Sequence, residues 1–153
     1  MSDELRVGRQ WAAKACNDLL DADNNLASTM VPTDTVCFHC QQSAEKMLKA
    51  FLSALGIPPP RTHILTILGD QIAVTHPSIA RVGDDLVILT PYAVAARYPD
   101  DPSSTPTLDD AHEARLCAAN VMNWIRNERP ELLDAGDPVV LRILAINASY
   151  EKQ

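Results

Sequence analysis

Aromatic side chains are scarce in this chain, with two Phe, two Trp and three Tyr among 153 residues. The core must therefore be packed mainly from Leu, Ile, Val and Ala. Ala and Leu are strong helix formers, so the shortage favours an α fold. Positive charge is short as well: thirteen Lys and Arg stand against twenty Asp and Glu, a net charge of −7. A protein that grips duplex DNA by neutralising phosphates needs a basic face. The deficit is uneven. Residues 1–63 carry six Lys/Arg against seven Asp/Glu, and the other ninety carry seven against thirteen. An anion site therefore belongs on the first two helices, and binding of duplex DNA by this chain alone is not expected.

Long apolar runs are also missing. No stretch approaches the roughly 20 apolar residues of a membrane span. The segment Met1-Ser2-Asp3-Glu4-Leu5-Arg6 is charged where a secretory leader would be apolar. The expectation is a soluble, cytoplasmic protein that does not engage a membrane. Its four cysteines, Cys16, Cys37, Cys40 and Cys117, are then reduced thiols. There is no Gly-rich phosphate loop and no serine-elbow motif, and no cofactor is implied. What is present is the composition of one globular domain, 46% hydrophobic and 22% charged.

The apolar residues recur at helical spacing. Trp11, Ala15, Leu19, Ala22 and Leu26 define one face of a helix over about Asp3–Leu26, with Asp18, Asp21, Asp23 and Asn24 on its wet side. A second helix begins near Thr33 or Asp34. Its broad stripe is Cys37, Cys40, Ala44, Met47, Leu48, Phe51 and Leu55, and it is stopped by Gly56 and Pro58-Pro59-Pro60. Thr62 is placed to cap a third, with Leu65, Leu68 and Ile72 inward. A fourth follows His76-Pro77 and carries Ile79, Val82, Leu86, Leu89 and Ala93; Gly83 weakens it and Pro91 bends or breaks it. The run Leu86–Leu89 also suits a buried strand, though no partner strand is visible.

Thr107 with Asp110 resembles a capping box opening a long helix, with Leu108, Ala111, Ala118, Val121, Met122 and Ile125 inward and Arg129-Pro130 at its end. Asp137-Pro138 opens a last amphipathic segment with Leu141, Leu144 and Ala145 on its face. The sum is an all-α, up-and-down antiparallel bundle of five or six helices, residues 1–130, followed by a helical extension, residues 131–153.

Chemistry concentrates on the second helix. His39, Gln42 and Lys46 share a strip, with Glu45 and Lys49 beside it. Gln42 and Glu45 suit a base or ribose; Lys46 and Lys49 suit phosphate. The plainer alternative is a solvated face with a Glu45–Lys49 pair worth a few tenths of a kcal/mol. Cys37-Phe38-His39-Cys40 offers half of a zinc site, but no second pair completes four ligands, and small thiols within the core stripe fit better. Asp84-Asp85, Asp100-Asp101 and Asp109-Asp110 fit turns and helix starts, where carboxylates complement the helix dipole.

The run Phe38-His39-Cys40-Gln41-Gln42-Ser43-Ala44-Glu45-Lys46-Met47-Leu48-Lys49-Ala50 resembles the signature helix of the HEPN domain family. Trp11 with Asp18-Leu19-Leu20 is similar to that family's first helix. Thr62-His63 with Leu65 and Leu68 is similar to its "tHdL…L" segment, with Ile64 where Asp is usual. Arg97-Tyr98-Pro99-Asp100 matches its "RYPd" element, with Asp110-Ala111 following in register.

The resemblance covers about residues 9–127 and implies a helical bundle, usually a homodimer, with a polar groove for nucleotides. It also implies a minimal nucleotidyltransferase partner in a two-gene, toxin–antitoxin-type module. Many HEPN proteins are metal-independent ribonucleases with an Arg-x4–6-His motif. No arginine stands at that spacing before His39, His63, His76 or His112, so the expectation leans away from an enzyme. The site expected for a nucleotide or RNA ligand is His39, Gln42, Glu45, Lys46, Lys49, His63, Arg97 and Tyr98. His63 suits acid–base work and Arg97 a phosphate clamp should the chain be an atypical ribonuclease. A purely structural interaction subunit is the third reading.

Overall fold

The computed structural model of the chain describes residues 1–95 and 105–151. Arg97, Tyr98, Pro99, Asp100 and Asp101 lie outside the described residues. Among those described there are seven α-helices and no strand: α1 Asp3–Leu26, α2 Thr33–Ala54, α3 Leu65–Ala73, α4 Gly83–Leu89, α5 Tyr92–Ala95, α6 Leu108–Glu128 and α7 Pro138–Tyr150. Short 3-10 turns cover Pro77–Val82 and Pro130–Leu132. The expected all-α bundle is what forms. The helix count rises because the fourth apolar segment is divided at Gly83 and again at Pro91, each piece still burying its residues of the expected stripe while Val87 and Val94 stay exposed. Ile79, Val82, Leu86, Leu89 and Ala93 are all buried, and Leu86–Leu89 lies within α4, so it is helix and not strand.

Helix ends obey local chemistry. Ser2 Oγ accepts from Leu5 N at 3.1 Å to start α1. Thr107 and Asp110 form a reciprocal capping box at α6, and Asp137 accepts from Val139 N at 2.9 Å ahead of Pro138 at α7. Gly56 adopts φ +77°, and the bonds Ile57 N to Leu52 O and Gly56 N to Ser53 O close α2 as a Schellman motif. At α3, Thr62 Oγ1 accepts from Ile64 N, one step before the helix begins. Its first amide, Leu65 N, is capped across the fold by Thr90 Oγ1 at 3.2 Å.

Helices α1 and α2 form the closest pair and run antiparallel. Asp18 meets Lys46, and Trp11 meets Lys49. They approach tightly where Gly8 faces Ala50: a Cβ on Gly8 would lie 2.9 Å from the Ala50 carbonyl oxygen. Helix α6 packs on α2 through Phe51 and Trp124, ring centroids 5.2 Å apart, and burial of such side chains supplies about 1.5–3 kcal/mol each. The chain after α2 returns along it through residues 55–64. Its turn at Gly56 and its three prolines keep it out of helix, which brings residue 63 back beside residue 45 before α3 begins.

Two expected faces are corrected. Leu108 is 49% exposed and not inward, because it occupies the first turn of α6. On α7 the buried positions are Val140, Ile143 and Asn147, while Leu141 is 50% exposed and Ala145 is also exposed. The face is rotated because a polar residue, Asn147, belongs to it.

Candidate functional site

The polar arc of α2 divides into two stripes, each turned to a different neighbour. Toward α1, Lys46 Nζ donates to Asp18 Oδ2 at 2.6 Å, and His39 Nδ1 lies 3.0 Å from Asp18 Oδ1. His39 Nε2 is a further 3.6 Å from Asp21. Asp18 is thus not on a wet side. Its side chain is 11% exposed and serves as the bridge between α1 and α2.

Toward the returning segment, Glu45 forms the centre of a second cluster. Its side chain is 6% exposed. Oε1 lies 2.7 Å from His63 Nδ1, and Oε2 lies 3.4 Å from Lys49 Nζ. Gln41 Nε2 donates to the His63 carbonyl at 3.2 Å and reaches Glu45 Oε1 at 3.5 Å. Gln42 in turn donates to Gln41 Oε1 at 2.6 Å. The Glu45–Lys49 pair is therefore an enclosed pair and not part of a solvated face. An ionised carboxylate only accepts, so the bond to Glu45 puts the proton of His63 on Nδ1. The imidazole itself is 61% exposed.

Five of the expected site residues, His39, Gln42, Glu45, Lys46 and Lys49, lie on one helix, and the structure brings His63 to one edge of it. Both lysines are already paired with carboxylates, Lys46 with Asp18 and Lys49 with Glu45. Arg97 and Tyr98 fall outside the described residues. Two exposed cations near this arc carry no ion pair among the described residues: Lys14 on α1, one helical turn before Asp18, and Arg61, two residues before His63. Sequence reading did not single out either. Trp11, on the apolar face of α1 by spacing, is only partly buried, with Lys49 Nζ 5.7 Å from its ring centroid.

The cysteines offer no reactive centre. All four are free and buried. Burial pushes the Cys16 and Cys37 thiols up to about 12, and Cys40 and Cys117 are raised by the same cause. Among the described residues no group of three or more His, Cys, Asp or Glu is placed to hold a metal ion.

A second buried polar cluster was not anticipated. Arg115, on the inner face of α6, is fully buried. Its Nε donates to Asp23 Oδ1 at 2.6 Å, and its Nη2 donates to Asp23 Oδ2 at 3.1 Å and to Asn147 Oδ1 at 2.8 Å. The Tyr150 ring lies 5.4 Å from the guanidinium carbon. Asp23 therefore also leaves the wet side assigned to it. The available signal was a gap: Arg115 is four residues after Ala111 and three before Ala118, inside the inward stripe of α6.

An all-α bundle with a polar helix face against a histidine-bearing loop is the class that fold and site define. Residues 9–128 match the family model of the HEPN domain, and the chain belongs to that family. No curated protein and no solved structure matches the chain at a significant level. HEPN membership supports a module of the nucleotide-binding or ribonuclease type. No described helix is long and apolar enough to cross a membrane.

Proposed function

We propose that this chain is a nucleotide-binding HEPN module without a cutting centre of its own, working as a homodimer beside a minimal nucleotidyltransferase in a two-gene, toxin–antitoxin-type pair. The binding part rests on one observation: an imidazole 61% exposed, held at 2.7 Å by a carboxylate 6% exposed. A buried carboxylate is costly to desolvate unless it is paired. Here it is spent partly on fixing a ring whose second nitrogen is left for a ligand. A carboxylate behind a histidine sets both its tautomer and its orientation. His63 Nε2 is then left to accept from a hydroxyl or amino group of the ligand. Arg61 and Lys14, which make no ion pair among the described residues, meet phosphate, and Gln42 and Lys49 border the ligand. Lys46 and His39 hold α1 against α2. The partner and the dimer rest on the family resemblance alone.

Titration with ATP or GTP, followed by tryptophan fluorescence, tests the binding reading. Saturable binding that weakens in His63→Ala supports it. No saturable signal with the unaltered chain removes it. Co-purification with the product of the adjacent gene tests the partner.

The same Glu45–His63 geometry favours a second reading, because an oriented, solvent-facing imidazole is also the form of a general acid or base. Against it stands the absence of an arginine at the Arg-x4–6-His spacing. RNA that stays intact after incubation with the purified chain would dispose of the ribonuclease reading. Cleavage abolished by His63→Ala would install it.

A further inference from the structure

We infer that Trp11 is the stacking wall of this site, and that the ligand it takes is recognised by a planar nucleobase as well as by its phosphates. This rests on the nucleotide-binding reading above and goes one step further, to the part of the ligand that carries specificity.

The two tryptophans of the chain are treated differently by the fold. Trp124 is 6% exposed, packs on Phe51, and its Nε1 donates to Ser78 Oγ at 3.1 Å. Trp11 is only partly buried, and its indole N–H makes no hydrogen bond among the described residues. It lines a cleft of about 300 Å³ with Val7, Gln10 and Lys14, which lie on the same side of α1 at spacings of three and four. That volume is at the lower end for a small-molecule site, and such sites combine an apolar wall with a few polar groups. Val7 and the indole supply the wall. The Gln10 amide is able to read a base edge, and Lys14 carries an ammonium with no ion pair among the described residues.

The cleft is joined to the candidate site by one side chain. Lys49 Nζ lies 5.7 Å from the Trp11 ring centroid and 3.4 Å from Glu45 Oε2, and the other oxygen of Glu45 holds His63. Trp11, Lys49, Glu45 and His63 thus form a continuous chain of contacts from α1 across α2 to the segment before α3. Lys49 Nζ lies over one face of the indole, and a base stacks on the ring surface turned to the cleft of Val7, Gln10 and Lys14. Tripolyphosphate meets Lys14 and Arg61 but gains nothing from the indole.

The test compares ATP with tripolyphosphate in the full chain carrying Trp124→Phe, so that Trp11 is the only tryptophan and is excited selectively at the red edge. ATP is expected to quench Trp11 saturably and tripolyphosphate to bind without the quench. Trp11→Leu, with its fold checked by circular dichroism and binding read calorimetrically, should weaken ATP by about tenfold and leave tripolyphosphate unchanged. Trp11→Phe, which keeps a ring, should recover most of the loss, and it serves as the measurement should the leucine variant not fold. Equal affinity of ATP and tripolyphosphate, or ATP binding in Trp11→Leu equal to that of the unaltered chain, overturns the stacking inference while nucleotide binding stands. No binding of ATP to the unaltered chain overturns both.

Discussion

Asp23 and Glu45 are both carboxylates drawn into a helical interior by a cation, and their surroundings diverge from there. Asp23 meets Arg115, whose side chain is fully buried, and α7 closes over the pair with Asn147 and Tyr150. Arg115 and Asn147 are fully buried and the Asp23 side chain is 10% exposed. Glu45 is as well enclosed at 6% exposure, but one of its two partners, His63, stands 61% in solvent. Desolvating a carboxylate costs several kcal/mol in either place. In the closed cluster the return is a fixed geometry between α1, α6 and α7. In the open one the return is an oriented imidazole at the surface, which the bundle does not need for its own packing. Position relative to solvent, not the presence of an ion pair, separates the structural cluster from the functional candidate.

The largest effect is expected from opening the closed cluster. Arg115→Ala leaves Asp23 and Asn147 without their partner and should cost about 3–5 kcal/mol, read by denaturant unfolding. Replacing Arg115, Asp23 and Asn147 together by apolar residues of similar size should recover most of that loss, since a buried pair replaced as a unit is often neutral. A variant Arg115→Ala as stable as the parent would erase the distinction between the two clusters.

Alkaline pH is a second way to load charge into the closed interior. Cys16 and Cys37 are raised from an ordinary value of about 9 to about 12, chiefly by burial. Between those values the unfolded chain releases a thiol proton that the folded chain keeps. The folded state then binds more protons, and stability falls as pH rises. The contribution is fully present below about pH 9 and is lost progressively as pH rises toward about 12. Unfolding curves at pH 8 and pH 10 check it, with Cys16→Ala expected to flatten the slope. Neutral thiols of this kind should also alkylate slowly in the native state.

The sequence makes the helices legible because their ends follow rules that act over three or four residues. Thr107 with Asp110, Gly56 before three prolines, the break at Pro91 and the cap at Asp137 all do what those rules require. What stays hidden is pairing over long distance. Asp18 and Asp23 read as wet because isolated carboxylates usually are, and nothing local reveals a lysine 28 residues on or an arginine 92 residues on. Asn147 hides for the same reason, and with it the true face of α7. Within the candidate site, the strip on α2 was legible from spacing. Its division into a stripe that ties down α1 and a stripe that orients His63 was not, since that depends on where residues 55–64 return.

Lys46 sharpens the comparison from an intermediate position, its side chain 23% exposed and its partner Asp18 11% exposed. Lys46→Ala should cost about 1 kcal/mol, between an exposed pair and a sealed one. It should leave ATP affinity nearly unchanged, because this ammonium is already committed to Asp18. A large loss of affinity with unaltered stability would move Lys46 back into the ligand site.

The smallest expected effect on stability is also the one on which the open cluster depends. His63→Ala removes a mostly exposed ring and leaves Glu45 paired with Lys49, so unfolding should shift by no more than about 0.5–1 kcal/mol. ATP affinity should nevertheless fall about fivefold, the worth of one hydrogen bond of about 1 kcal/mol to the ligand. The orienting role of Glu45 is then separable by a double-mutant cycle. In a Glu45→Gln background the ring loses its charged anchor, so His63→Ala should remove less affinity than it does in the parent. Equal losses in the two backgrounds would mean that His63 meets the ligand without help from Glu45. A stability loss of several kcal/mol with ATP affinity intact would make the Glu45–His63 pair as structural as Asp23–Arg115, and its exposure would then carry no functional meaning.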